Sequence, residues 1–579
     1  MFKLAYFLKK YRKQTLLGPL FKLAEAVLEL IVPLVMIRVI DIGVKNGDAA
    51  YVYRMGGLLL LISIVSLASA LVCQYMASIA SQGVGTELRK TLFQKINSFS
   101  HAELDRFGTH SLITRVTNDV NQLQLAVAML IRLVVRAPFL AVGAVIMAAF
   151  IDLKLSLVFA VVMPLIALIL FVIMNRSVPF FKAMQKKLDA ISLITRETLE
   201  GARVIRAFSR QERERARFEQ TSDELAQTAV NVGKLSALLN PLTYAVMNAG
   251  ILVIIWVSGY QVYDGALTQG EIIAFVNYMT QVLLALIVVA NLVVIFTKAS
   301  ASASRVNEIL ETTSSIQSQT EQPVAPRPDA PLVAFRKVSF SYPGSRETAL
   351  SGLDFTIAPG ETVGIIGGTG SGKSTLVNLI PRFYDATAGA VQFYGTDVRQ
   401  YPLSQLRGFI GIVPQHAALV SGSIEKNLRW GKADATEEEL LSALATAQAL
   451  DFVRQLPQGL KTHIEQGGKN LSGGQRQRLT IARALVGKPP LLIFDDSASA
   501  LDYATDAALR KALARDIRES AVILVSQRVS TVAHADKLIV MDDGCIAGMG
   551  THRQLLETCP VYQDICSSQH YSGEEAQDE

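Results

Sequence analysis

The segment LSLVFAVVMPLIALILFVIM, residues 155–174, runs for 20 residues without a charge. As a helix rising 1.5 Å per residue it would cross about 30 Å of hydrocarbon, and a soluble surface does not tolerate such a run. Comparable runs near 16–40, 55–80, 126–151, 153–175, 239–262 and 272–297 predict six membrane helices within residues 1–310. The first is the poorest, since it carries Glu25, Glu29 and Arg38. An even number of spans leaves both chain ends on one face, and the basic residues indicate which. Residues 87–125 carry five Lys and Arg, 176–234 carry twelve and the N-terminal arm five, whereas 42–54 carry two. Positive segments remain inside. The N-terminus, the C-terminus and everything after residue 298 are therefore expected in the cytoplasm, in a multi-pass protein of the cell membrane.

The two long basic segments are rich in helix formers and nearly free of Gly and Pro in their middles, so each is expected to continue its adjoining spans as helices. Residues 176–234, folded out and back, would reach roughly 40 Å below the bilayer. Stalks of that length suit contact with a cytoplasmic domain. The N-terminal MFKLAYFLKKYRKQ interleaves apolar and basic residues, as an interfacial helix does. Within the spans, Glu25, Glu29, Arg132, Arg136, Asn248, Asn277, Gln281 and Asn291 either pair with one another or line a substrate path. Cys73, Cys545, Cys559 and Cys566 have no metal or disulfide spacing, which suits a reducing cytosol.

Residues 311–331, ETTSSIQSQTEQPVAPRPDAP, lose hydrophobic periodicity and read as a linker. From 332 to 570 short β-like runs (ETVGIIG, LLIFDD, AVILVSQ, KLIVMDDG) alternate with helical ones, the pattern of an α/β domain with a mostly parallel sheet. Residues 571–579 form an acidic tail expected to be disordered. The central motif is GGTGSGKST: Gly367, Gly368, Thr369, Gly370, Ser371, Gly372, Lys373, Ser374 and Thr375. It follows a strand-like run and precedes a helix-like one, the setting of a phosphate loop. Its glycines let backbone N–H groups approach phosphates, Lys373 offsets their charge, and the Ser374 hydroxyl can ligate Mg²⁺. ATP and Mg²⁺ are the expected ligands, and nothing in the pattern points to nucleic acid.

LSGGQRQRLTIARAL, residues 471–485, resembles the signature of ATP-binding cassette (ABC) transporters, and it falls between the phosphate loop and LLIFDD as it does in that family. The resemblance covers the whole chain. It implies an exporter half-transporter of type IV fold: a polytopic α-helical membrane domain of six helices with long cytoplasmic extensions, fused to an α/β P-loop ATP-binding cassette. It further implies that Tyr342 stacks on adenine, that Gln415 senses the γ-phosphate and Mg²⁺, and that Ser374, Gln415 and Asp495 hold the metal. Leu471, Ser472, Gly473, Gly474 and Gln475 would clamp a partner's ATP, and Ser499, Ala500, Leu501 and Asp502 would form a dimer-contact loop. The coupling helices that touch the cassettes are expected in GTHSLITRVTND and AFSRQERERARFEQ.

Two positions depart from the family. Asp496 stands where a glutamate polarises the attacking water, and Gln527 replaces the switch histidine. The shorter side chain withdraws the carboxylate by roughly 1 Å, a displacement that can cost about a hundredfold in rate. Gln527 can donate a hydrogen bond but cannot carry a proton charge. The chain thus resembles the degenerate-site subunit of bacterial heterodimeric multidrug exporters. It would pair with a different half-transporter that hydrolyses ATP at the site completed by this chain's signature, and the complex would act as a translocase that moves amphiphilic drugs or lipids. The alternatives are an ATP-gated channel or regulatory subunit, and an active homodimeric exporter.

Overall fold

The computed structural model describes residues 2–318, 320–497 and 501–569. The chain divides into two compact units, one formed by Met1–Asn97 with His110–Thr312 and the other by Ser98–Thr109 with Thr313–Glu579. The acidic tail, together with Ser499 and Ala500 of the expected dimer-contact loop, lies outside the described residues.

Among the described residues five helical segments are long and apolar enough to cross a membrane: Ala49–Asn97, Thr109–Ile151, Leu153–Glu200, Gln211–Tyr263 and Gln269–Glu311. The expected first span falls on Arg12–Arg38, continued by a wider π-helical turn over Val39–Val44, and is not among the five. Its charges are the reason, and the bundle pairs them. Lys22 donates to Glu25 Oε2 at 2.5 Å, and Arg136 donates to Glu29 Oε2 at 2.6 Å, which reduces the cost of carrying ions in an apolar bundle. Thr109–Ile151 is interrupted: one helix ends at Arg132 and the next runs Arg136–Ile151. That second helix turns Ala137, Ala141, Ala144 and Ala148 inward, and such small side chains let neighbouring helices approach closely. Phe159, Ile254, Phe275 and Tyr278 fill the centre, and the Tyr278 hydroxyl donates to Leu30 O at 2.8 Å.

The helices run on past their apolar stretches. Ala49–Asn97 has 49 residues and Leu153–Glu200 has 48, more than twice the roughly 20 that a bilayer requires. Between Leu153–Glu200 and Gln211–Ala237 the chain turns through the short helix Ala202–Ala207, none of whose residues is buried.

Among its described residues the second unit has twelve strands: β1 (Val333–Phe340), β2 (Leu350–Ile357), β3 (Thr362–Gly367), β4 (Ala388–Phe393), β5 (Thr396–Asp397), β6 (Ile410–Val413), β7 (Gly422–Ser423), β8 (His463–Ile464), β9 (Leu491–Asp495), β10 (Ala521–Ser526), β11 (Lys537–Asp542) and β12 (Cys545–Gly550). A six-stranded sheet has the order β12-β11-β3-β10-β9-β6, with only the β11–β12 pair antiparallel. An antiparallel sheet, β2-β1-β4-β5, faces it across a core that includes Phe335, Phe393, Val363, Ile365 and Ile493. A second core seats the helix Gly473–Leu485, through Leu479, Ile481 and Ala482, against Ile424, Leu428 and Leu440. The strands β3, β9 and β10 read as nearly unbroken apolar runs, as expected for parallel strands covered on both faces.

Ser98–Thr109 belongs to this second unit and not to the helical one. Its helix, His101–Phe107, opens on a capping box in which Glu103 Oε2 accepts from the Ser100 amide at 3.0 Å. Glu103 Oε1 also accepts from the Ser315 amide at 3.1 Å. His101 stacks on Phe383 at 4.3 Å, and the Tyr384 hydroxyl donates to Asp105 Oδ2 at 2.7 Å. The family resemblance expects the first cassette-touching helix in GTHSLITRVTND, which begins at Gly108. The segment that joins the cassette lies just before it. The signal was present in the sequence as Ser100-x-x-Glu103 closed by Gly108, a capped short helix.

Candidate nucleotide site

Strand register assembles the site. β10 lies between β3 and β9, with Ser526 opposite Ile366 and Val525 opposite Asp495. Three neighbouring parallel strands therefore deliver the phosphate loop, Gln527 and the acid pair to one edge, the carboxyl end where open α/β sheets bind ligands. β6 pairs Val413 with Phe494 and brings Gln415 beside them. The result is a pocket of about 320 Å³ lined by Tyr342, Ala349, Thr369, Gly370, Gly372, Lys373, Ser374, Thr375, Gln415, Asp495, Asp496, Val525 and Gln527.

The loop's shape rests on two glycines above all. A Cβ on Gly367 would stand 2.2 Å from Met541 O, and Gly372 has φ +92°, which side chains rarely adopt. Lys373 then opens the helix Lys373–Leu379 and folds back over the loop, donating to Gly367 O at 2.8 Å and Gly368 O at 2.6 Å. Burial lowers the Lys373 pKa, against the pull of Asp496 and Asp495. The Tyr342 hydroxyl meets Thr375 Oγ1 at 2.9 Å, and its ring stays partly exposed beside Tyr384.

At the other end of the pocket Ser374 Oγ donates to Asp495 Oδ1 at 2.9 Å. Burial raises the Asp495 pKa, and the neighbouring Asp496 adds to the rise despite the Ser374 bond. Asp496 sits at φ +44° with its amide bonded to Val525 O at 2.9 Å. Aspartate is among the few side chains that enter this left-handed region readily. Its Oδ2 meets Gln415 Nε2 at 3.4 Å, and burial raises its pKa while Gln415, Lys373 and Arg528 oppose the rise. The available donors, a hydroxyl, a carboxamide oxygen and carboxylates, are all hard oxygens, the set that suits Mg²⁺. Among the described residues no group of three or more His, Cys, Asp or Glu is placed to hold a metal ion.

The signature residues lie elsewhere. None of Leu471, Ser472, Gly473, Gly474 and Gln475 lines the pocket. Ser472 caps the helix Gly473–Leu485, and Gln475 returns the bond by accepting from the Ser472 amide at 2.9 Å. Ser472 and Gly473 are exposed, so the amino end of the helix faces outward with its dipole. Of the described part of the dimer-contact loop, Leu501 is buried and Asp502 caps the helix Tyr503–Asp516.

Residues 15–286 match the ABC transporter transmembrane region and residues 350–499 the ABC transporter cassette. An uncharacterized ABC transporter ATP-binding protein of Mycobacterium tuberculosis is 38% identical over 570 residues, 98% of this chain and 97% of that protein. The chain belongs to the ABC transporter family. An ATP-dependent lipid A-core flippase of Chromobacterium violaceum is 31% identical over 98% of this chain and 97% of its own length. A multidrug efflux ATP-binding/permease protein of M. tuberculosis is also 31% identical, with 98% of this chain matching 47% of that longer protein. Among solved structures, a bacterial Atm1-family ABC exporter with ATP bound superposes with a TM-score of 0.79 at 24% identity, covering 98% of this chain and 99% of that one. This ABC transporter is therefore a helical membrane domain fused to an ATP-binding cassette, with the fold of that exporter.

Proposed function

We propose that the chain is one half of an ATP-driven exporter of amphiphiles, drugs or lipids, whose own ATP site binds nucleotide and cleaves it slowly. A different half-transporter with the intact residues would supply the site where most hydrolysis occurs. The observation that carries this reading is the pocket itself, where a complete phosphate cradle opens onto Asp496 and Gln527 in place of glutamate and histidine. Similarity to a lipid A-core flippase and to a multidrug efflux protein supports the amphiphile class. The match to 47% of the latter supports a working unit of two such halves.

In this reading Tyr342 stacks on the base, the loop amides and Lys373 hold the phosphates, and Ser374, Gln415 and Asp495 would hold Mg²⁺, which offsets phosphate charge when bound. Asp496 orients water from about 1 Å further back than glutamate does, and Gln527 offers a neutral donor to the terminal phosphate. Ser472, Gly473, Gly474 and Gln475 present a helix amino end to the partner's ATP. Binding of ATP closes the two cassettes, the cytoplasmic helix extensions carry that closure to the membrane helices, and hydrolysis at the partner's site resets the cycle. The cassette and both chain ends lie in the cytoplasm. The test is Asp496→Asn in the reconstituted pair. Uphill transport in vesicles should continue, and its complete loss would sink the degenerate-site reading.

A further inference from the structure

The loop that carries Gln527 is gripped from an unforeseen direction. After β10 the chain passes through Gln527 and Arg528 into the short helix Val529–Val532. Ser526 Oγ accepts from the Arg528 amide at 3.0 Å. The main-chain groups on either side are taken by one side chain. Gln569 Nε2 donates to Gln527 O at 2.6 Å, and Gln569 Oε1 accepts from the Val529 amide at 2.9 Å. Gln569 follows the helix Pro560–Ser568, whose Tyr562 and Cys566 share one apolar cluster with Val529 and Val532. The grip is thus mounted on an element packed against the same loop. A carboxamide suits this role because it offers a donor and an acceptor without charge. Gln569 does not line the nucleotide pocket, whereas Gln527 does.

We propose that Gln569 is a positioning residue for the switch position. By holding the main chain on both sides of Arg528 it fixes where Gln527 presents its carboxamide, and so sets how well this site distinguishes ATP from ADP. The inference does not depend on which chain hydrolyses ATP, and it applies equally to a heterodimer or a homodimer.

The experiment uses the full-length chain in its assembled transporter. This chain is photolabelled with an azido-ATP, and displacement by ATP and by ADP is measured. Gln569→Ala should lower the ATP-over-ADP preference by about threefold to tenfold, with displacement by ADP unchanged. Gln569→Glu, which keeps the acceptor and loses the donor, should do the same in a chain of nearly unaltered shape. Gln527→Ala should match that loss, and Gln527→Ala with Gln569→Ala should lose no more than either alone, since the two act through one contact. Equal weakening of ATP and ADP, an unmoved preference, or losses that multiply in the double variant would each overturn the proposal.

Discussion

At the phosphate-loop end of the pocket the backbone decides nearly everything. Gly367 has no room for a Cβ, Gly372 holds a left-handed turn, and Lys373, only 9% exposed, is tied to two loop carbonyls. At the hydrolytic end the side chains decide. Asp496 reaches Gln415 only at 3.4 Å, beyond the usual range of such bonds, and Gln415 and Gln527 are exposed. The contrast lies in what fixes each end of one pocket: backbone geometry holds the phosphate loop, and side-chain identity sets the acid and switch positions, so the two ends can be altered separately.

The sharpest way to break that comparison is to damage the half-site this chain would lend. Gly474→Asp puts a carboxylate at an anion-binding helix amino end. It should lower ATPase of the assembled transporter by about a hundredfold or more, while azido-ATP labelling of this chain persists. Lys373→Ala attacks the intact end. Losing a charged hydrogen-bonding group should weaken nucleotide binding here by about tenfold to a hundredfold in the same labelling assay, with a smaller drop in total ATPase. Asp496→Glu should raise turnover by no more than about threefold while Gln527 remains, because the restored reach still meets an amide at the switch position. A full recovery would show that the missing methylene alone explains the site.

The smallest effect is expected at Glu103, outside the pocket. Burial would raise its pKa, but hydrogen bonds from Ser100 and Ser315 hold it below the ordinary carboxylate value. Its contribution to stability is therefore complete above the ordinary glutamate pKa near 4.3 and is lost as pH falls through the lower folded value. Glu103→Ala should cost about 1–2 kcal/mol at neutral pH. Thermal melts of variant and wild type should converge at acid pH; a constant gap would mean the carboxylate charge is irrelevant.

Much of the pocket is legible in the sequence because its residues lie close to strand ends, where motif spacing fixes geometry. Lys373 and Ser374 follow β3 across the short loop 368–372, and Asp495 ends β9. What escapes is of two kinds. The family resemblance points to GTHSLITRVTND as cassette-touching, whereas the helix that joins the cassette, His101–Phe107, lies just before it and is marked locally by the capping box at Ser100. Gln569 has no local signal at all, since its partners lie 40 and 42 residues earlier and are main-chain groups that any residue would offer. The charges that set the first span apart from the five apolar segments are legible in the sequence, and the structure pairs them, Lys22 with Glu25 and Arg136 with Glu29.

The helix Gln269–Glu311 holds 43 residues, its only glycine is Gly270 at the start, and no proline interrupts it. At 1.5 Å per residue it is a rod of roughly 65 Å, and it ends one residue before the boundary between the two compact units. A helix with no internal proline or glycine has no built-in place to kink, so bending along Gln269–Glu311 is shared over its whole length and not gathered at one joint.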